Sequence, residues 1–179
     1  MKTKIIVGAF AIAIAFSMFL AMSSSESTLK RYGLEGLSAN EMVEKLEAMS
    51  VNPADLMASI DGESLRLDSE DGVHEYEVEG DVFYLSFAPY IENTHPCAIH
   101  NLSTCQAELS EETFDVVVEN DDEVFFQGEA TTHKNGFKGI WLPRDVEATI
   151  TVYYDGLSAE ESIETYADSP TCLTTLKLE

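Results

Sequence analysis

The chain has 179 residues, 45% of them hydrophobic and 24% charged, with 33 acidic against 10 basic side chains and a formal net charge of −23. That balance repels a phosphate backbone and an anionic membrane surface alike, so nucleic acid is excluded as a partner class. The apolar share is enough for a core and excludes a wholly disordered acidic chain, and the length sets one domain or two small ones.

Lys2 and Lys4 form a basic head, Ile5 to Met22 is almost entirely apolar, and Ser23 to Ser25 are small and polar. This order reads as a secretory signal peptide, residues 1–23, cleaved after Ser23. An uncleaved membrane anchor is the alternative, since about 18 apolar residues can span a bilayer. No Cys follows the run, which argues against a lipoprotein. Losing Lys2 and Lys4 leaves 8 basic against 33 acidic groups, a mature charge near −25. Export places the protein in an oxidising compartment, where an odd set of cysteines, Cys97, Cys105 and Cys172, cannot be fully paired within one chain.

Residues 24–81 read as a helix-plus-strand region. Ser38-Ala39-Asn40-Glu41 has the spacing of a capping box, and Met42, Val43, Leu46 and Met49 fall on one helical face. Asn52-Pro53-Ala54-Asp55 predicts a second, shorter helix that buries Leu56, Met57 and Ile60. The methionines at this spacing fit core or dimer contacts better than a thioether copper site. From Ser64 the period changes to two, with short strands around Leu65–Leu67 and His74–Val78 joined by an acidic turn, Asp68 to Gly72. That turn lacks the ligand spacing of an EF-hand and is read as solvated.

Residues 82–179 read as strand after strand. Val82 to Ala88, Phe114 to Val118, Glu123 to Gln127, Phe137 to Leu142, Ala148 to Tyr154 and Leu173 to Leu178 are separated by turn signals such as Asn135-Gly136 and Asp155-Gly156. The fold class is therefore α+β: a small N-terminal helical and β region, then a mostly antiparallel β-sandwich-like domain, with Trp141 as an expected core anchor.

The stretch from His95 to Cys105 holds two Cys and two of the four His in a connection between strands, where a rigid sheet can position a site. Cys97 and Cys105 are eight residues apart. That is about 12 Å along a helix or about 27 Å along a strand, so the loop must double back if the two sulfurs are to share a bond or an ion. Cys172 lies after Pro170, where a sandwich can bring a distant strand start to the same end. Three single disulfides are open. By chain entropy, Cys97–Cys105 is worth about 2.6 kcal/mol and Cys97–Cys172 about 4.5, the latter leaving Cys105 as a thiol beside His residues. Reduced, the three cysteines form a soft trigonal sulfur set that selects Cu(I), with His100 or His95 as nitrogen donor; zinc is the rival, because three Cys and one His also suit a closed tetrahedral site. A structural disulfide with an incidental thiol is the bland alternative. His74 and His133 show no clustering, and the sequon Asn101-Leu102-Ser103 carries little weight.

The loop Cys97-x7-Cys105 running into Gln106-Ala107-Glu108-Leu109, the segments Asn135-Gly136-Phe137 and Trp141-Leu142-Pro143-Arg144, and Ser169-Pro170-Thr171-Cys172-Leu173-Thr174-Thr175 together resemble the CueP family, exported copper-resistance proteins of bacteria. The resemblance implies that Cys97, Cys105 and Cys172 are the functional residues, with His95 and His100 carried over beside them. It further implies a periplasmic location, a homodimer formed through the N-terminal part, and copper sequestration with thiol-driven reduction of Cu(II). Dependence on Dsb-type thiol oxidoreductases and supply of copper to an exported superoxide dismutase complete the implied partners. Such a protein is a binder rather than an enzyme, with at most a stoichiometric reduction. The competing classes are a thiol redox protein or oxidant scavenger built on Cys105, and a zinc-binding or purely structural β domain. Against the thiol enzyme, there is no C-x-x-C and no evident helix start beside a Cys to lower its pKa.

Overall fold

The computed structural model describes residues 27–49 and 55–179. The signal segment, 1–23, and the opening of the expected second helix, 52–54, lie outside the described residues. Among the described residues no helix is long and apolar enough to cross a membrane. Residues 34–179 form one compact unit. Residues 27–33 belong to another, in which Ser27 caps the single turn α1 (Thr28–Arg31) by accepting the Lys30 amide.

Helix α2 spans Ala39–Met49 and opens with the capping box read from the sequence: the Glu41 amide donates to Ser38 Oγ, and the Ser38 amide to Glu41 Oε2. Its buried side is Ala39, Met42, Val43, Leu46 and, unexpectedly, Glu47. Strands β1 (Leu56–Ile60), β2 (Ser64–Ser69) and β3 (Gly72–Glu77) follow, then β4 (Val82–Phe87) and the short β5 (His100–Asn101). The remaining strands are β6 (Thr113–Glu119), β7 (Val124–Thr131), β8 (Lys138–Pro143), β9 (Glu147–Tyr154), β10 (Leu157–Glu164) and β11 (Cys172–Leu173).

Among the described residues three sheets result, with strand orders β3-β2-β1-β5, β10-β9-β6-β7 and β11-β4-β8. The last two face each other as a sandwich. Their shared core takes Phe83, Leu85 and Phe87 from β4, Phe114, Val116 and Val118 from β6, Ile140 and Leu142 from β8, and Ile150 and Val152 from β9. These positions alternate along each strand, so that each sheet turns one face to this core, and each large apolar side chain so buried contributes about 1.5–3 kcal/mol. The β9–β10 hairpin turns through Asp155 (φ 49°) and Gly156 (φ 83°), two left-handed residues that match the strand twist. Helix α2 packs against β2 and β8.

Four sequence expectations change. Leu56–Ile60 is a strand rather than a helix, because Leu56, Ala58 and Ile60 bury at steps of two while Met57 is exposed, and pairing with β2 overrides the local helix signal. β10 went unread because Glu160, Glu161 and Glu164 hide the inward Ala159 and Ile163. The terminal run contributes only β11 and a parallel bridge between Tyr90 and Lys177. Trp141 is not in the sandwich core. Ile140 and Leu142 take the inward positions of β8, which turns Trp141 outward, where it packs against Tyr84 with ring centroids 4.7 Å apart and a tilt of 58°, and donates Nε1–H to Glu44 of α2.

Candidate metal centre

Backbone hydrogen bonds bring four remote stretches to one place. His100 opens β5 and pairs with Ile60 of β1. Its amide donates to Thr171 Oγ1, which in turn donates to the Ile60 carbonyl at 2.6 Å. The amides of Thr171 and Cys172 both donate to the Ala98 carbonyl, and β11 then runs parallel to β4 with Cys172 opposite Ser86. The loop doubles back at Asn101, whose Oδ1 accepts the amides of Ser103 and Thr104 while its carbonyl accepts the Cys105 amide. Asn101 and Ser103 of the sequon are thus occupied by the turn and by the Ala58 amide, which donates to Ser103 Oγ. Glu108 Oε2 accepts the amides of Ile91, Glu92 and Asn93 and so anchors the approach to His95; these amides hold its carboxyl below the usual range.

The sulfurs converge. Cys97 and Cys172 form a disulfide with Cα atoms 5.6 Å apart, and Cys105 is a free thiol with its Sγ 3.9 Å from that of Cys97. Donor atoms of His95, Cys97 and Cys105 lie within 4.8 Å of one another, and so do those of His100, Cys105 and Cys172. Cys105 is common to both groups. Phe137 lies between the imidazoles, 4.7 Å from His100 and 6.2 Å from His95, and with Ala88 and Ala107 gives the sulfurs an apolar wall. Cys172 and His100 are buried, whereas His95, Cys97 and Cys105 are half-buried and open the cluster toward solvent.

His100 is the electrostatic centre. Its ring is fully buried; Nδ1 lies 3.6 Å from Cys172 Sγ, and Nε2 lies 2.9 Å from one Glu47 oxygen and 3.2 Å from the other. Burial pushes the imidazolium down, but the Glu47 carboxylate and the Cys105 sulfur outweigh it and raise the ring from 6.5 to about 9. Burial likewise pushes the Glu47 carboxyl up, and the His100 charge with hydrogen bonds from His100, Asn135 and Tyr84 brings it below its ordinary value. Cys105 follows the same pattern: partial burial raises the thiol, and the hydrogen bond and charge of His100 carry it below 9.0. No helix start is needed, because a buried imidazolium performs that task.

All five residues read from the sequence, Cys97, Cys105, Cys172, His95 and His100, therefore meet in one cluster. His74 lies on β3, and His133 is half-buried, its ring held below 6.5 by burial. Glu47 was missed. Its only signal is a carboxylate one turn after Val43, within the apolar side of an amphipathic helix.

Three sulfurs and two imidazoles gathered on a β scaffold are a donor set of the kind found in metal-binding proteins that use thiolate and imidazole ligands. The model of the family described as periplasmic copper-binding protein CueP matches residues 41–177, and the chain belongs to that family. Copper binding and a periplasmic location come with the membership. The crystal structure of S.CueP is similar at a TM-score of 0.80 and 38% identity, over 87% of this chain and 100% of that one. No curated protein matches significantly.

Proposed function

We propose that the mature, signal-cleaved protein sequesters copper as Cu(I) on the thiolates of Cys105 and Cys172 with His100, assisted from the open side by Cys97 and His95. The observation that carries this reading is the third thiol, held within 4.8 Å of donors from both halves of the cluster, beside a disulfide. Soft thiolates and an apolar wall favour the soft monovalent ion over Zn(II). When Cu(II) arrives at the reduced protein, two thiolates each give one electron. Two Cu(II) become two Cu(I), and one sulfur–sulfur bond forms. The Cys97–Cys172 disulfide is the product of that step and removes the Cys172 thiolate from the ligand set until it is reduced again, so the reaction is stoichiometric and the protein is a binder rather than an enzyme. An exported thiol oxidoreductase of the Dsb type returns the thiols, consuming one dithiol per disulfide. A homodimer through the N-terminal part and delivery of Cu(I) to a periplasmic superoxide dismutase belong to the same reading.

The test is Cu(I) titration of the reduced mature chain against a chromophoric Cu(I) chelator. One ion per chain is expected, with high-affinity binding lost in Cys105→Ser and Cys172→Ser; unchanged affinity in both variants rules the reading out. Equimolar Zn(II) must leave the Cu(I) isotherm in place, or zinc is the natural cargo.

A further inference from the structure

We propose that Glu47 is a positioning residue of the metal centre, which fixes the His100 ring so that Nδ1, and not Nε2, is the nitrogen offered to copper. The inference rests on the reading above, in which His100 is a ligand.

The argument starts from where this carboxylate is and what surrounds it. Glu47 comes from α2, far from the cysteines in sequence, and is 1% exposed. Oε2 accepts from Tyr84 Oη at 3.1 Å and Ser86 Oγ at 3.2 Å, both on β4, and Oε1 accepts from Asn135 Nδ2 at 3.2 Å. Three donors from two other elements therefore hold the carboxylate in one orientation, and the Nε2–H of His100 donates to it at 2.9 Å. The opposite nitrogen then points at Cys172 Sγ, 3.6 Å away, on the side where Cys105 also lies. A carboxylate can only accept, so the Nε2 proton stays in place, and the proton that the imidazolium gives up when copper binds is the one on Nδ1, whose lone pair the metal then takes. The ring cannot flip without placing Nδ1 against the carboxylate and Nε2 toward the sulfurs, and Phe137, tilted 41° against it at 4.7 Å, confines it.

A fold does not need this arrangement for its own sake. Replacing a buried ion pair by packed apolar residues is often neutral or stabilising. Carboxylate–imidazole–metal chains, in contrast, recur where a histidine must present one nitrogen in one direction. The supporting contacts extend outward. Trp141 packs against Tyr84 and binds Glu44 one turn before Glu47, so α2 is clamped to β4 and β8 at the point where it delivers the carboxylate.

The test is a double-mutant cycle on Cu(I) affinity of the fully reduced chain, with wild type, Glu47→Gln, His100→Ala and the double variant titrated against the same chelator. Glu47→Gln retains an acceptor for Tyr84 and Ser86 but its amide can equally donate to the ring, releasing the choice of nitrogen. We expect it to weaken Cu(I) by about 10–100-fold, with no additional loss when combined with His100→Ala. Affinity of Glu47→Gln within twofold of wild type overturns the inference, as does a penalty that persists in full without His100, which marks a purely structural residue. If His100→Ala binds like wild type, the ligand role of His100 fails, and this inference fails with it. A second readout does not depend on variants: imidazole nitrogen NMR of the Cu(I)-loaded wild type must show His100 protonated at Nε2 and metallated at Nδ1, and the reverse tautomer overturns the proposal.

Discussion

Reduction of the Cys97–Cys172 bridge gives the most quantitative handle on this architecture. The two cysteines are 75 residues apart, and the covalent ring they close contains β5 to β10 and part of each flanking segment. Constraining the unfolded chain over a loop of that length is worth about 4.5 kcal/mol, against about 2.6 kcal/mol for a ring of nine residues closed by Cys97 and Cys105. Native contacts around Cys172 change little on reduction, because the backbone there is held by the Ala98 carbonyl and by pairing with β4. Urea unfolding of the oxidised and reduced mature protein, copper-free and at one pH, should therefore differ by about 4.5 kcal/mol. At a typical slope of about 2 kcal/mol/M this is a midpoint shift of about 2 M. Cys105→Ser should leave the oxidised midpoint in place and Cys172→Ser should abolish the gain. A difference near 2.6 kcal/mol that survives in Cys172→Ser would show that the bridge is the short one, and no difference at all would refute the entropic argument.

Three further outcomes follow from the site. His100→Ala removes the charge that draws down Cys105, so alkylation of that thiol at pH 7 should slow several-fold, and an unchanged rate counts against the contact. His100 stands at about 9 folded against 6.5 unfolded, a contribution of up to about 3 kcal/mol that is fully present below pH 6.5 and lost as pH rises through about 9. Cys105 supplies part of that shift, so denaturation of Cys105→Ser at pH 6 and pH 10 should register the share of the loss that Glu47 supplies, without the opposing titration of the thiol, and a flat profile contradicts it. A Cβ at Gly139 would overlap Tyr84 Oη and Cζ, so Gly139→Ala should destabilise by about 1–3 kcal/mol, measured by thermal melting, and loosen Glu47 with it.

What could be read from residues alone was what local pattern encodes. Alternation located β4, β6, β8 and β9 to within a few residues, and the density of Cys and His located the loop. Two kinds of information were out of reach. Pairing partners decide whether Leu56–Ile60 is helix or strand, and β2 supplies them. Likewise Glu47 has no local mark beyond its place on the buried side of α2, since its partners Tyr84, His100 and Asn135 are 37, 53 and 88 residues away. The choice of disulfide was decided by the same convergence: only the stitching of residues 98–100 to 171–172 brings Cys97 against Cys172 rather than Cys105.

The parallel docking of β11 beside β4 carries one consequence for biogenesis. A polypeptide threaded outward from its front end delivers α2 and the two loop thiols first and the strand with Cys172 last. Until that final strand lands, His95, Cys97 and Cys105 can gather, but His100 lacks the sulfur that Cys172 sets beside its Nδ1. The buried half of the donor set is thus completed by the last strand of the chain, and clipping the tail ahead of Cys172 would remove that half while leaving the open one.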